Sequence, residues 1–274
     1  VASEPLIGPS PIDGPLTVPL VDGPPGDGLL VSQIPTGPVP VPVPIAEIAG
    51  SDTVTPVWLN EVGGITFQLG EGPSRRFAKW APHGVGLDLA AEEARLRWAV
   101  AYTSVPRVLA SGTGPDADWL VTAGVPGRSA VDPRWRAEPV RAVAALGQGL
   151  RAFHDALPVE ACPFDWSVEM RLARSEKARR QDPGLPPVPS LDRLVVCQGD
   201  PCSPNTLIAD DGAWSGHVDL DALGVADRWA DIAVATMSLE WNYGLGWDAA
   251  FLEAYGIEPD SERTSFYRAL WNGT

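Results

Sequence analysis

Lysine is almost missing from this 274-residue chain. Lys79 and Lys177 are the only two, and no basic residue of any kind precedes Arg75. The upstream stretch therefore lacks the charged n-region of a secretory signal and the arginines of a transit peptide. Cysteine is scarce too. Cys162, Cys197 and Cys202 are odd in number and lack metal-ligand spacing, which argues against a disulfide scaffold or a zinc site and fits reduced thiols in a cytoplasm. The three histidines, His83, His154 and His217, are scattered and read as structural or surface residues. No apolar run reaches the roughly 18 residues of a membrane span. Positive charge is short overall: 20 Lys and Arg face 35 Asp and Glu, a formal net charge of -15. That excludes a basic footprint for nucleic acid. It would attract a cationic small molecule, although acidity that only aids solubility is an equally open reading. No GxxxxGK[ST] pattern is present, so phosphates are not held by a P-loop.

Proline and glycine are plentiful, with 29 and 28 residues, and they crowd the start of the chain in PSPIDGP, DGPPGDG and TGPVPVPVP. Missing backbone donors and a high ordering cost make residues 1–44 an extended or disordered extension. The alternative is a strap, with Leu29, Leu30, Val31 and Ile34 buried on the domain. From Val57 the texture changes. Strands are expected at 57–59, 65–69, 76–80, 105–110 and 119–125, with a helix over 87–102. Helices over 139–157, 166–180, 228–242, 247–255 and 261–271 follow, with short strands at 194–197, 206–209 and 217–218. A proline opens the first of these helices, a favourable N1 residue. The expected fold is α+β: a small strand-rich lobe over 45–121, a connecting linker at 122–127, and a mostly helical lobe over 128–274.

The chemistry concentrates in Val195-Val-Cys-Gln-Gly-Asp-Pro-Cys-Ser-Pro-Asn205, followed by Gly216-His-Val-Asp219. A carboxylate follows a strand, a carboxamide comes five residues later, and a second carboxylate ends another strand. Phosphoryl transfer needs such a set: one group to orient and deprotonate a hydroxyl, and hard oxygen ligands for Mg²⁺. Lys79 ends an apolar strand segment and offers a charge for phosphate. Its partner follows from helix phase. In LAAEEARLRWAV, Leu89, Leu96 and Val100 share a stripe; Glu92 falls inside that apolar face, whereas Glu93 falls beside Arg97 at i+4. A carboxylate turned inward needs a cation, and Lys79 is the candidate.

The segment CQGDPCSPN resembles the HGDxxxxN loop of the bacterial aminoglycoside phosphotransferases, and VDLDALGVADRWADIAVAT resembles the segment after it. LPVEACPFD, LVTAGVPG, FAKWAP and FLEAYGIEPD extend the likeness over residues 57–272, nearest to the streptomycin and the kanamycin or neomycin branches. The resemblance implies a two-lobed protein-kinase-like fold and an ATP- and Mg²⁺-dependent transfer to a hydroxyl of a small, cationic acceptor. It implies Asp200 as catalytic base, Asn205 and Asp219 as Mg²⁺ ligands, and Lys79, paired with Glu92, as the phosphate lysine. The backbone of Ala123 and Val125 would meet the adenine, and Gly63 and Gly64 in EVGGITF would cover the nucleotide. Gln198 and Asp231 would brace the catalytic loop. The chain departs from the pattern at four places. Gln198 stands for the usual His, and Ala222 for an Arg after the metal aspartate. The loop over 181–190 is short. The C-terminal helix ends ALWNGT rather than in acidic and aromatic residues, and Met237 stands for an Arg. A kinase for another small alcohol and a nucleotide-binding but catalytically silent protein are the other readings of the same residues.

Overall fold

The computed structural model describes Ser32 and residues 34–60, 62–174 and 185–273. Five strands form one antiparallel sheet: β1 (Val54–Leu59), β2 (Ile65–Leu69), β3 (Arg76–Pro82), β4 (Val108–Thr113) and β5 (Ala117–Ala123), in the order β1-β2-β3-β5-β4. Side chains alternate across it. Phe67, Leu69, Ala78 and Val121 are buried on one face against α1 (Val43–Ala49), through Ile45 and Ala49. Ala81, Val108 and Leu120 are buried on the other with Leu89, Leu96 and Ala99 of α2 (Leu89–Ala99). Lys79 pairs across the ladder with Leu120, so the same alternation turns it toward α2.

The second lobe is built on α4 (Pro139–Ala156), which follows the single turn α3 (Pro133–Arg136) and buries Ala142, Val143, Leu146, Leu150 and Phe153 along one stripe. At Gly147 a Cβ would lie 2.6 Å from the Phe251 carbonyl, so glycine is what lets α7 (Asp248–Tyr255) pack against α4. Between them in sequence come α5 (Val168–Arg174) and α6 (Trp229–Tyr243), the latter buried from Trp229 to Leu239; α8 (Ser261–Gly273) packs on it and closes the lobe. Two small sheets carry the loops of interest. One joins β6 (Arg128–Ser129), β8 (Thr206–Ile208) and β9 (Trp214–His217), and the other joins β7 (Leu194–Cys197) to β10 (Gly224–Asp227). Among the described residues no helix is long and apolar enough to cross a membrane. The three cysteines are free thiols.

Several boundaries differ from the sequence expectation. The stretch assigned to the extension runs too far: α1 starts at Val43, and Val39 and Val41 pack against the same cluster as Ile45. The alternation of valine with proline gives one apolar edge without any need for ladder bonds. Residues 1–31, where Leu29, Leu30 and Val31 fall, lie outside the described residues, apart from which Ile34 is exposed. β4 starts at Val108, not at 105, because Pro106 cannot donate to a ladder. β9 ends at His217, and Val218 leaves it to donate to the Asn205 carbonyl at 2.9 Å. β10, a GVAD segment with little strand character of its own, exists because β7 supplies its partners. The expected helix over 166–180 is α5 as far as Arg174; its continuation lies outside the described residues.

Candidate active site

Lys79 is held between two carboxylates. Its Nζ lies 2.8 Å from Oε1 and 2.8 Å from Oε2 of Glu92, and 2.5 Å from Oδ1 of Asp219. Asp88 caps α2 by accepting from the Ala91 amide at 2.8 Å, which fixes the helix phase. Glu92 is then 3 % exposed, while Glu93 bonds Arg97 Nε at 2.9 Å on the outside. Burial pushes the Glu92 carboxyl up to about 7, against the pull of Lys79. For Lys79 burial acts downward, but the charges of Asp219 and Glu92 outweigh it and hold the ammonium well above its usual range.

Asp200 follows β7, on a loop fixed by a dense set of bonds. Gln198 is fully buried; its Nε2 donates to the Val218 and Asp219 carbonyls, each at 2.9 Å, and its Oε1 accepts from the Asp200 amide at 2.6 Å. One carboxamide thus ties the Asp200 loop to the Asp219 turn. Asp219 needs the tie, because it is the one non-glycine at positive φ (62°) among the described residues, a conformation costing on the order of 1 kcal/mol. Asp231, fully buried on α6, accepts from the amides of Gln198 at 2.6 Å and Gly199 at 3.0 Å. It also takes His154 Nε2 at 2.9 Å, and His154 Nδ1 meets the Tyr255 hydroxyl at 2.8 Å. With a carboxylate on Nε2, the proton belongs on that nitrogen. Gly199 has φ +95°, and a Cβ there would lie 2.3 Å from the Ala222 carbonyl, so the motif glycine is obligatory.

Asn205 donates its Nδ2 to the Asp200 carbonyl at 3.0 Å and to Asp200 Oδ2 at 3.1 Å. Asp200 Oδ1 is buried, and hydrogen bonding from Cys202 stabilises the charged carboxylate. Burial raises the Asp200 carboxyl to about 6, and the charges of Asp219 and Asp221 act in the same direction. A cleft of about 560 Å³ runs to the linker after β5: Lys79, Glu92, Asn205 and Asp219 line one part, Ala123 and Val125 another, and Asp200 adjoins it through its bond from Asn205. The volume is that of a small-molecule site.

Residues 63–267 match the sequence profile of the phosphotransferase enzyme family. The chain belongs to that family. An aminoglycoside 3′-phosphotransferase of Streptomyces fradiae is 34 % identical over 76 % of this chain and 90 % of its own length. The streptomycin 3″-kinase of Streptomyces griseus is 33 % identical over 78 % and 89 %. Among solved structures, an aminoglycoside 3′-phosphotransferase of type VIII superposes with a TM-score of 0.67 at 30 % identity, covering 81 % of this chain and 94 % of that one. An aminoglycoside phosphotransferase of Streptomyces rimosus in complex with ADP and streptomycin gives 0.57 at 28 % identity, over 75 % and 88 %. The two-lobed kinase-like fold expected from the motifs is the fold of this family.

Within this phosphotransferase the residues singled out from sequence do not all meet. Lys79, Glu92, Asp219 and Asn205 line the cleft; Asp200 is joined to them through Asn205, and Gln198 and Asp231 bond the same loop. Gly63, at φ +93° in the β1–β2 turn, does not line the cleft. Gly64 lines a smaller cavity that shares Lys79, Glu92 and Asp219 with the cleft, and a Cβ there would lie 2.3 Å from Leu87 Cδ1. Two contributors and one bond were missed. Asp221 lines that smaller cavity beside Asp219, and burial raises its carboxyl; its two-residue spacing from Asp219 in VDLD was the available signal. His154, read as structural, is structural, but its bond to Asp231 was not foreseen. Arg75 lines the cleft and bonds the linker, and no pattern announces it.

Proposed function

We propose that the chain transfers the γ-phosphoryl of ATP, with Mg²⁺, to a hydroxyl of an aminoglycoside-type antibiotic, as a resistance enzyme of the cytoplasm. The reading is carried by one observation: a lysine held by two carboxylates and the carboxamide of Asn205, itself bonded to Asp200, line one cleft with a backbone linker at its other end. The relatives named above, one of them solved with ADP and streptomycin, support the nucleotide and the class of acceptor. The free thiols fit a reducing compartment, and the net charge of -15 favours a cationic acceptor.

In this reading Asp200 receives the acceptor's proton. Its carboxyl, at about 6, is ionised at neutral pH yet basic enough to take a proton as the hydroxyl attacks. The donor set suits Mg²⁺: Asp219 brings a carboxylate, and Asn205, whose nitrogen is spent on Asp200, has its amide oxygen left for a hard cation. Mg²⁺ bound there supplies neutralisation of phosphate charge. Glu92 orients Lys79, which contacts the phosphates; Gln198 and Asp231 hold the two acidic loops in register. At the linker, the Val125 amide has no partner among the described residues and would meet the adenine together with the Ala123 carbonyl. Of the two turn glycines only Gly64 shares a cavity with Lys79, and it would approach the phosphates from the β1–β2 turn. Catalysis is then positioning plus charge neutralisation. The three bonds of Gln198 weigh against a silent protein. The test is a coupled ADP-release screen over aminoglycosides and simple alcohols; release with alcohols and none with any aminoglycoside would replace the acceptor class.

A further inference from the structure

Arg75 lies along the linker between the lobes. Its Nη2 donates to the Val125 carbonyl at 2.7 Å and to the Gly127 carbonyl at 3.2 Å, and its Nη1 to the Gly72 carbonyl at 3.2 Å. Its own carbonyl accepts the Gly124 amide at 2.9 Å. A Cβ at Gly124 would lie 2.7 Å from Arg75 Cγ, so the arginine stem rests against a linker kept bare for it. Arg75, Ala123 and Val125 all line the cleft. The linker's polar groups are therefore committed unevenly. The Ala123 amide goes to the Arg107 carbonyl at 2.9 Å and the Val125 carbonyl goes to Arg75, while the Val125 amide is unsatisfied among the described residues.

Adenine and guanine make different demands on such an edge. Adenine presents an acceptor at N1 and a donor at its 6-amino group. Guanine presents an acceptor at O6 and two donors, N1–H and the 2-amino group. A lone amide at Val125 can serve either acceptor. Guanine then still brings donors toward the linker, where the Val125 carbonyl already accepts from Arg75 and the guanidinium held on it meets a second donor with its own N–H groups. A buried donor left facing donors is penalised more than a missing bond is.

We propose that Arg75 makes the cleft selective for adenine over guanine nucleotides, by occupying the Val125 carbonyl that a guanine needs as acceptor. The inference rests on the nucleotide reading of the cleft. It is tested by calorimetric titration of the full chain with the non-hydrolysable triphosphate analogues of adenosine, guanosine and inosine, each with Mg²⁺. The adenosine analogue should bind about tenfold tighter or more than the other two, because both carry N1–H. In Arg75→Met, which keeps the stem and removes the donors, the guanosine analogue should gain affinity and the ratio should collapse. A gain is not what a merely structural role would give. Equal binding of adenosine and guanosine analogues by the wild type overturns the proposal, as does an unchanged ratio in Arg75→Met. Should that variant fail to fold, the wild-type inosine comparison decides: inosine binding like adenosine overturns it. If the wild type binds none of the three, the nucleotide reading itself falls; if all bind and the ratio ignores residue 75, only the role of Arg75 falls.

Discussion

The Lys79 ammonium touches both oxygens of Glu92, whereas Glu93, one residue along, bonds Arg97 at the surface. Two adjacent glutamates thus have different work, and substitution separates them. Glu92→Gln should raise KM for ATP and lower kcat, because the lysine is left to Asp219 alone. Glu93→Gln should change neither, since an exposed i,i+4 pair is worth only about 0.3–0.5 kcal/mol. Steady-state kinetics of the two variants side by side is the check, and equal effects would remove the distinction.

Asp200 and Asp219 separate in the same way. Asp200→Asn should keep nucleotide binding and lower kcat by about 100-fold or more, the range for a positioned acid–base group. Asp219→Ala should abolish Mg²⁺-dependent nucleotide binding, because the charged ligand is gone, and chelation of Mg²⁺ should mimic it in the wild type. Titration of Mg·ATP into both variants reads this directly; undiminished binding by Asp219→Ala would move the metal elsewhere.

Gln198 joins the Asp200 amide to the Val218 and Asp219 carbonyls. Gln198→Ala frees three part-buried groups, and a group left unpaired costs up to about 1–3 kcal/mol where water cannot replace the bond. It should lower Tm and kcat together, and a histidine at this position, with a donor and an acceptor, should restore part of both. A Gln198→Ala enzyme with wild-type kcat would show that the loops keep register without the bridge.

The Lys79–Glu92 contact was legible because two independent periods point to it: β3 alternation turns Lys79 to the α2 side, and the α2 phase turns Glu92 inward. The Asp200 loop was legible from local spacing and likeness to a family. What escaped depends on partners distant in sequence. Arg75 bonds a carbonyl 50 residues away, and a backbone acceptor leaves no residue signature. The Asp231–His154–Tyr255 chain spans three helices, so only packing reveals it. β10 is a strand by virtue of β7 alone. The first boundary was misread because composition marks proline-rich chain as unpacked, whereas Val39 and Val41 need only one apolar neighbour surface to dock.

That boundary can be measured. Extending an N-terminal deletion from residue 31 to residue 44 removes Val39, Val41 and the buried Pro42, and exposes Ile45, now fully buried. At about 25 cal/mol per Å² of apolar surface the loss is on the order of 2 kcal/mol, or roughly 5 °C in Tm for a domain of this size. Paired melting curves of the two deletions give the difference, and identical curves would mean the segment contributes nothing to stability.

Asp192 offers a charge-dependent test remote from the cleft. Its Oδ2 accepts from Arg228 Nε at 2.6 Å and Trp229 Nε1 at 3.0 Å, and its amide donates to Asp227 Oδ2 at 2.7 Å, which pins the chain before β7 to the start of α6. The bond from Arg228, against some burial and with the help of its charge, lowers the Asp192 carboxyl below the usual aspartate range. A carboxylate lowered in the folded state binds fewer protons there than in the unfolded chain. Its contribution is therefore complete above the ordinary aspartate value, about pH 4, and is lost as pH falls through the lower folded value. Asp192→Asn should cost about 1 kcal/mol at pH 7, after allowance for the partial exposure of the pair, and a few degrees of Tm. The gap between variant and wild type should narrow steadily below pH 4. Melting curves of both proteins from pH 7 to pH 3 measure it; a gap of constant size would assign the effect to lost packing of Trp229 and not to charge.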